Sequence, residues 1–334
     1  MFAKQSSYFC PECRQNTTYE VKKVSRTYMM KDKEYSFKIT TAFCNHCGEE
    51  IILPGLLDFN VKEIDQQYRE IEHIISIDDI NKLMKLYNLG KSTLSLALGF
   101  GEITITRYLL GQVPSKEYSD IMKKALESPE FMLDKLNCNR DKIGEKAYKK
   151  AKIELDKLIE MFAISDDLLS TISYLFEKMS EITPLALQKL LYFIQGFSLA
   201  KYNKPMFTED CYAWVHGPVF DSVYNLFKNF KYNPIDDNRF AILKNRFHEL
   251  TVEEKDIVDL VVETFGLYSG KVLEIITHKE DPWLNARGNL CEFESSNNKI
   301  EKSEIKKYFC LVNNTYDLND KKEIRKYIYK QLDE

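Results

Sequence analysis

Thr183-Pro184-Leu185-Ala186-Leu187-Gln188-Lys189-Leu190-Leu191-Tyr192-Phe193-Ile194-Gln195-Gly196-Phe197-Ser198-Leu199-Ala200 is the stretch that decides the fold. Thr183 suits an N-cap, and Pro184 suits the first helical position, where its missing N–H costs nothing. Leu187, Leu190, Leu191, Ile194, Phe197 and Ser198 then recur at helical spacing. A helix so apolar is predicted to lie at the centre of a core. Its surroundings read the same way. An amphipathic helix is expected over 166–179, and others over 251–268, 269–277 and 301–309. His216-Gly217-Pro218 reads as a tight turn leading into a helix over 219–230. A charged helix over 317–332 carries Ile324, Tyr327 and Ile328 on one face, and is expected either to dock or to hang free. Gly (12) and Pro (9) are scarce, while Tyr and Phe stand at 20 each, which suits helix packing better than a turn-rich sandwich. The fold expected is mainly α and multidomain, with a large helical unit over 165–310 and a C-terminal helix over 311–334.

The N-terminus departs from this pattern. Cys10-Pro11-Glu12-Cys13 and Cys44-Asn45-His46-Cys47-Gly48 are two C-x-x-C turns. Each turn sets two sulfurs on one side of a tight loop, and two turns close a four-sulfur site. Four thiolates suit one zinc ion, and because they leave no open position the zinc is structural rather than catalytic. His46 is expected outside the ligand set. Tyr35, Phe37 and Ile39 alternate with polar residues, the period of a half-buried strand, so residues 1–57 read as a small β zinc ribbon. So small a unit buries little, and the metal is expected to supply most of its stability. Cys138, Cys211, Cys291 and Cys310 are scattered and read as reduced thiols.

Residues 60–74 read as a short charged connector, helical at its end. Helices follow over 76–137, opened by the capping signal Ser76-Ile77-Asp78-Asp79. A helix over 91–98, a glycine-bounded turn and a second helix over 102–110 have the layout of an Xre-like helix-turn-helix. Ile105 and Tyr108 are expected to point inward. Thr104, Thr106 and Arg107 fall on the outer face, where Arg reads guanine and Thr reads bases or phosphates. The competing reading is a small helical domain with no DNA role, since Glu102 opens the candidate recognition helix. Residues 1–150 carry 23 Lys and Arg against 21 Asp and Glu, so DNA affinity would depend on local placement, dimerisation or a partner. Over 140–164, a helix from 145 to 162 carries Ala147, Ala151, Leu155, Leu158 and Ile159 on one face and reads as a connector, either a solvated linker or a dimerisation or docking helix.

No apolar run reaches the ~20 residues of a membrane span, and Met1-Phe2-Ala3-Lys4-Gln5-Ser6-Ser7 has no signal-peptide apolar core. The expected location is cytoplasmic, with no membrane partner. Neither G-x-x-x-x-G-K-S/T nor G-x-G-x-x-G occurs, so nucleotide chemistry is unsupported. A Cys–His site built from Cys211, His216, His278 and Asp281 is disfavoured, because Cys211 lacks a setting that would lower its pKa. The chain is expected not to be an enzyme.

The blocks Leu187–Ala200, Lys204-Pro205-Met206-Phe207, Ala213–Phe220, Tyr268–His278 and Asp281–Arg287 together resemble the Panacea domain, also called SocA-like after a bacterial antitoxin. The ribbon, its two knuckles and Ile105-Thr106-Arg107-Tyr108 resemble the N-terminal and DNA-binding parts of MqsA-type antitoxins. The resemblance implies a type II antitoxin. Its C-terminal domain would bind a cognate protein toxin, with Tyr192, Trp214, His216 and Trp283 as candidate contacts, and its N-terminal part would bind operator DNA, with a homodimer left open. Two alternatives stand beside it. One is a helix-turn-helix regulator whose C-terminal domain senses a ligand or dimerises, and the other is a proteolytic adaptor.

Overall fold

The structure is a computed structural model that describes residues 7–291 and 293–333. Residues 1–6, read above for a signal-peptide core, lie outside the described residues. The fold is mostly helical, 59% of the chain, with a small N-terminal β region, as the sequence predicts. The chain divides into two compact units, at Leu155 and Asp156.

The first unit begins with two sheets. β1 (Tyr8–Cys10) and β2 (Gln15–Thr17) form a hairpin whose turn is the first knuckle. β3 (Tyr19–Met30) and β4 (Lys33–Cys44) form a long antiparallel ribbon, joined at Lys31-Asp32, both with positive φ. Such a two-residue turn matches the twist of the strands it joins. β5 (Glu50–Ile51) pairs with only the end of β4, leaving the edge at Lys38 and Thr40 bare of a strand. The next element fills that gap. Where a charged connector helical only at its end was expected, the helix runs over 16 residues and starts earlier, as α1 (Leu56–Ile71). The Gln67 side chain accepts from the Lys38 N–H at 2.9 Å and donates to its carbonyl at 2.8 Å, while Glu63 accepts from the Thr40 N–H at 2.7 Å. The helix thus supplies side chains where a strand would supply backbone, which satisfies the edge and blunts it. Beneath it Tyr35, Phe37, Ile39 and Tyr68 form a small core.

Six helices follow in this unit. They are α2 (Ile77–Leu86), α3 (Lys91–Ala97), α4 (Thr104–Leu109), α5 (Lys116–Glu127), α6 (Pro129–Cys138) and α7 (Arg140–Ile143). Ser76 caps α2 by accepting from the Asp79 N–H at 3.0 Å. α8 (Glu145–Phe162) crosses the division between the units. Its Ala151, Leu155, Leu158 and Met161 are fully buried, so the expectation of a solvated linker is corrected.

The second unit contains α9 (Asp166–Lys178) and α10 (Pro184–Tyr202), then β6 (Cys211–Trp214), β7 (Gly217–Val219), α11 (Asp221–Phe227), α12 (Asn238–Leu243), α13 (Val252–Phe265), α14 (Gly270–His278), α15 (Asp281–Arg287), β8 (Lys299–Ile300), α16 (Lys302–Tyr316) and α17 (Lys321–Asp333). The three strands form one antiparallel sheet in the order β7-β6-β8. α10 is capped by Thr183 with Pro184 in its first turn, and every residue from Ala186 to Leu199 is buried. α13, α14 and α16 pack around it. Phe193 stacks on Phe265 at 4.0 Å between ring centroids, and Phe309 of α16 meets Tyr192 and Phe197 edge-on at 5.6 Å. The predicted helix over 219–230 is corrected. Gly217 has φ +94°, and residues 217–219 pair back on Tyr212–Trp214 as β7, so α11 begins only at Asp221. Of the two readings of the C-terminal helix, docking holds, since Ile324, Tyr327 and Ile328 of α17 are buried.

Gly196 marks the closest approach in this core. A Cβ there would lie 2.2 Å from the Phe309 ring. Gly196→Ala should therefore destabilise the second unit by about 1–3 kcal/mol through overpacking. Adding Phe309→Leu should recover part of the loss, as read by denaturant unfolding.

Candidate metal centre and partner-facing groove

Cys10 leaves β1, Cys13 follows in the hairpin turn, Cys44 ends β4, and Cys47 lies in the turn before β5. Two hairpins thus bring the two knuckles together, and all four sulfurs lie within 4.8 Å of one another. Cys10 and Cys47 are 3.5 Å apart at sulfur, and Cys13 and Cys44 3.8 Å. A tetrahedral ion with Zn–S bonds of ~2.3 Å needs sulfur–sulfur edges of about 3.8 Å, so the set fits zinc. The surroundings prepare it for charge. The Thr17 hydroxyl lies 3.1 Å from the Cys44 sulfur, and the His46 N–H donates to that sulfur at 3.3 Å. The Thr17 hydroxyl first, then the Cys47 N–H, draw the Cys44 thiol down to about 6. Burial and the three neighbouring sulfurs push Cys13 the other way. Four thiolates this close cannot ionise together without a cation between them. His46 contributes its backbone and no ligand atom to this cluster.

The second sequence-predicted set lies on α4. Ile105 and Tyr108 are buried, Thr104 and Thr106 half-buried, and Arg107 exposed. Ser95 of α3 fixes the pair of helices, because its hydroxyl accepts from the Ile105 N–H at 2.9 Å and donates to the Lys91 carbonyl at 3.0 Å. Glu102 accepts from the Ser92 hydroxyl at 2.8 Å, which ties this carboxylate to α3.

The third set is split by the fold. Tyr192 is fully buried against Phe193 and Phe309, so it has no surface to offer and is withdrawn as a contact residue. Trp283 is 6% exposed, and its indole N–H donates to the Trp214 carbonyl at 2.9 Å while its ring stacks on His278 at 4.1 Å. It braces Trp214 from behind rather than facing a partner. Trp214 and His216 do reach a surface, the wall of a groove of about 760 Å³ lined by the start of α10, the β6–β7 hairpin, α11 and residues 295–297.

Sequence reading missed Lys189 in the lining of this groove, Glu274 that holds His216, and the buried Glu280. Lys189 is 1% exposed, and its ammonium donates to the Pro218 carbonyl at 3.0 Å. Burial draws it down to about 7. Glu274 of α14 lies 3.0 Å from His216 Nδ1 and accepts from Lys271 at 2.9 Å. Burial works to raise Glu274, but these two partners hold it below its ordinary value. Glu280 is wholly buried and accepts from the Tyr327 hydroxyl, and burial pushes it up to about 8. Cys211 is buried, and burial pushes its thiol up to about 12, the opposite of a reactive thiolate. A lysine between Leu187 and Leu190, inside an otherwise apolar helix, was the one available signal.

The central helix, the hairpin and the helices from α11 to the middle of α15 coincide with one family model, Antitoxin SocA-like, Panacea domain, over residues 187–284. Residues 187–284 are a Panacea domain. No curated protein and no solved structure matches the chain. The Panacea domain is completed from outside the matched span, since Phe309 packs on α10 and Tyr327 holds Glu280. No helix of the described residues is long and apolar enough to cross a membrane.

Elemental analysis of the purified chain should find one zinc per chain, lost in Cys44→Ser. Thr17→Val should keep the ion but weaken its binding about tenfold, the effect of removing an outer partner. A second test concerns Glu280. Its folded-state value near 8 lies above the ordinary 4.5, so between these pH values the folded protein holds a proton that the unfolded chain releases. Stability should therefore fall with rising pH in that window, by up to about 1.4 kcal/mol per pH unit. Glu280→Gln can still accept from Tyr327 and should remove that slope, read as the difference between two pH–stability curves.

Proposed function

We propose that the chain is the antitoxin of a type II toxin–antitoxin pair, with no catalytic activity of its own, acting in the cytoplasm. The observation that carries this reading is the Panacea domain at residues 187–284. In this reading the second unit holds a cognate protein toxin and neutralises it sterically, a task for which a standard interface of roughly 1,600 Å² suffices. Trp214 and His216 stand on the face where it would dock.

The first unit would bring the antitoxin to its own operator. α3, the turn and α4 form the proposed helix-turn-helix, with Arg107 reading a base edge and Thr104 and Thr106 positioned beside it. The exposed Arg107, the buried Ile105 and Tyr108, and the hold of Ser92 on Glu102 support it. One zinc ion would fix the ribbon that precedes these helices. Two copies on a palindromic operator would double the limited positive charge of this unit.

A second reading, a DNA-binding regulator whose C-terminal domain senses a small ligand, draws on the size of the groove, which falls within the range of small-molecule sites. Co-expression separates the two. The product of the adjacent gene should arrest growth alone and become harmless when the full chain is supplied. A product that is harmless alone, or equally toxic in the chain's presence, removes the antitoxin reading. Arg107→Ala should weaken operator binding by about 1–3 kcal/mol without changing neutralisation, as read by a mobility shift at fixed salt.

A further inference from the structure

The groove on the Panacea domain has a one-sided chemistry. Among the described residues that line it there is no Asp or Glu, while Lys189, Lys228, Lys231, Lys271 and His216 all are present. Glu274, which lies behind Lys271 and His216, is 8% exposed and already engaged by both. Lys228 contacts the neutral side chain of Asn225 at 3.0 Å, and neither it nor Lys231 is paired with a carboxylate among the described residues. The walls between these cations are apolar, with Leu185, Val219 and the Trp214–Tyr224 ring pair, whose centroids are 4.9 Å apart. Trp214 adds a separate observation. Its indole N–H is buried and lacks an acceptor, although an indole can only donate. Buried donors nearly always find a partner. The neighbouring Trp283 has one, the Trp214 carbonyl.

We propose that this groove is the seat of an acidic segment of the protein partner, its carboxylates meeting Lys228, Lys231 and Lys271 and its apolar side chains lying on Trp214 and Tyr224. This rests on the antitoxin reading and gives the chemistry of the partner that reading requires. Among the described lining residues lysines are present and carboxylates are not, which selects against a basic segment as much as it favours an acidic one. A carboxylate reaching Trp214 would also supply the acceptor its indole lacks, once the ring turns to present it. Lys189 forms the floor, where an approaching anion would favour its charged form.

The test uses the full chain and a fluorescein-labelled Glu-Leu repeat peptide, with a Lys-Leu repeat as control. The acidic peptide should bind, shift tryptophan emission and weaken with salt. The double variant Lys228→Glu/Lys231→Glu changes two exposed side chains and should lower that affinity by roughly tenfold or more, while Lys228→Arg/Lys231→Arg should retain it. Equal binding to the charge-reversed variant, or equal binding of the Lys-Leu peptide, overturns the proposal. So does displacement of the acidic peptide by millimolar inorganic phosphate or ATP at constant ionic strength, which would make this a site for small anions. Neutralisation of the adjacent gene's product separates the two layers. If wild type neutralises and the charge-reversed variant does not, the groove is the toxin's seat. If both neutralise, the groove proposal falls and the antitoxin reading stands. If wild type fails, the antitoxin reading falls, and with it the assignment of this groove to a toxin.

Discussion

α10 is buried on all sides from Ala186 to Leu199, and that single constraint organises the second unit. A helix in this position satisfies its own backbone, and an unpaired polar side chain in the interior costs more than a hydrogen bond returns. Four polar side chains on α10, those of Gln188, Lys189, Gln195 and Ser198, reach out to backbone groups beyond the helix. Gln188 accepts from the Phe220 N–H at 2.8 Å and donates to its carbonyl at 3.2 Å. Gln195 accepts from the Met206 N–H at 2.7 Å and donates to the Phe207 carbonyl at 2.9 Å. Ser198 donates to the Lys204 carbonyl at 2.7 Å, and Lys189 to that of Pro218. The irregular stretch 204–207 thereby gains the partners that a strand would otherwise give it, and α10 is tied to β7 at Pro218 and to Phe220 just beyond it.

The first unit meets the same need differently at each of its two sheets. At β4, Gln67 and Glu63 of α1 stand in for a missing strand. At the knuckles no side chain can do this work. Cys10 and Cys44 are buried in a small apolar cluster with Ala42, Ile51, Leu53 and Leu56, Cys13 packs against it, and Cys47 is exposed. Their sulfurs repel as they ionise, so burial alone does not hold four thiolates together, whereas a cation among them would. The ribbon thus has an aromatic core under α1 and, at the far end of the same strands, a four-cysteine set that fits a metal ion.

How much of this the sequence disclosed depended on whether the signal was local. Thr183-Pro184, the apolar spacing that follows it and the cysteine pairs act through neighbours along the chain, and each lies where it was read. The capping serine Ser76 did so too. The errors share one cause, long-range pairing. Residues 60–74 looked like a connector because their charged side chains serve a strand more than twenty positions earlier. Residues 217–219 looked like the entry to a helix because their partners, Tyr212–Trp214, are revealed only by the hairpin. Tyr192 looked available because helical periodicity marks one buried face, whereas α10 has no exposed one. Lys189 went unread for the same reason, since a lysine on a helix is ordinarily a solvated one.

The separated blocks that resemble the Panacea domain have a common physical meaning. One block is the β6–β7 hairpin itself, and three others contribute fixing contacts to it. α10 gives Lys189 to Pro218 and Gln188 to Phe220. α14 gives Glu274 to His216. α15 gives the Trp283 N–H to the Trp214 carbonyl and Arg287 to the Ala213 carbonyl at 3.3 Å. The hairpin turn in its place admits only glycine at position 217. φ is +94° there, and a Cβ would stand 2.6 Å from the Lys189 ammonium nitrogen and 2.9 Å from the Thr277 hydroxyl. A buried lysine, a glycine and a threonine from three elements therefore form one joint. Such effort spent on a short hairpin is disproportionate to the core it covers, since β7 has only three residues. It is proportionate to what the hairpin presents, because Trp214 and His216 flank that joint and face the groove. This braced hairpin is thus a wall of the groove, which is where rigidity would serve recognition by sparing the ordering cost of binding.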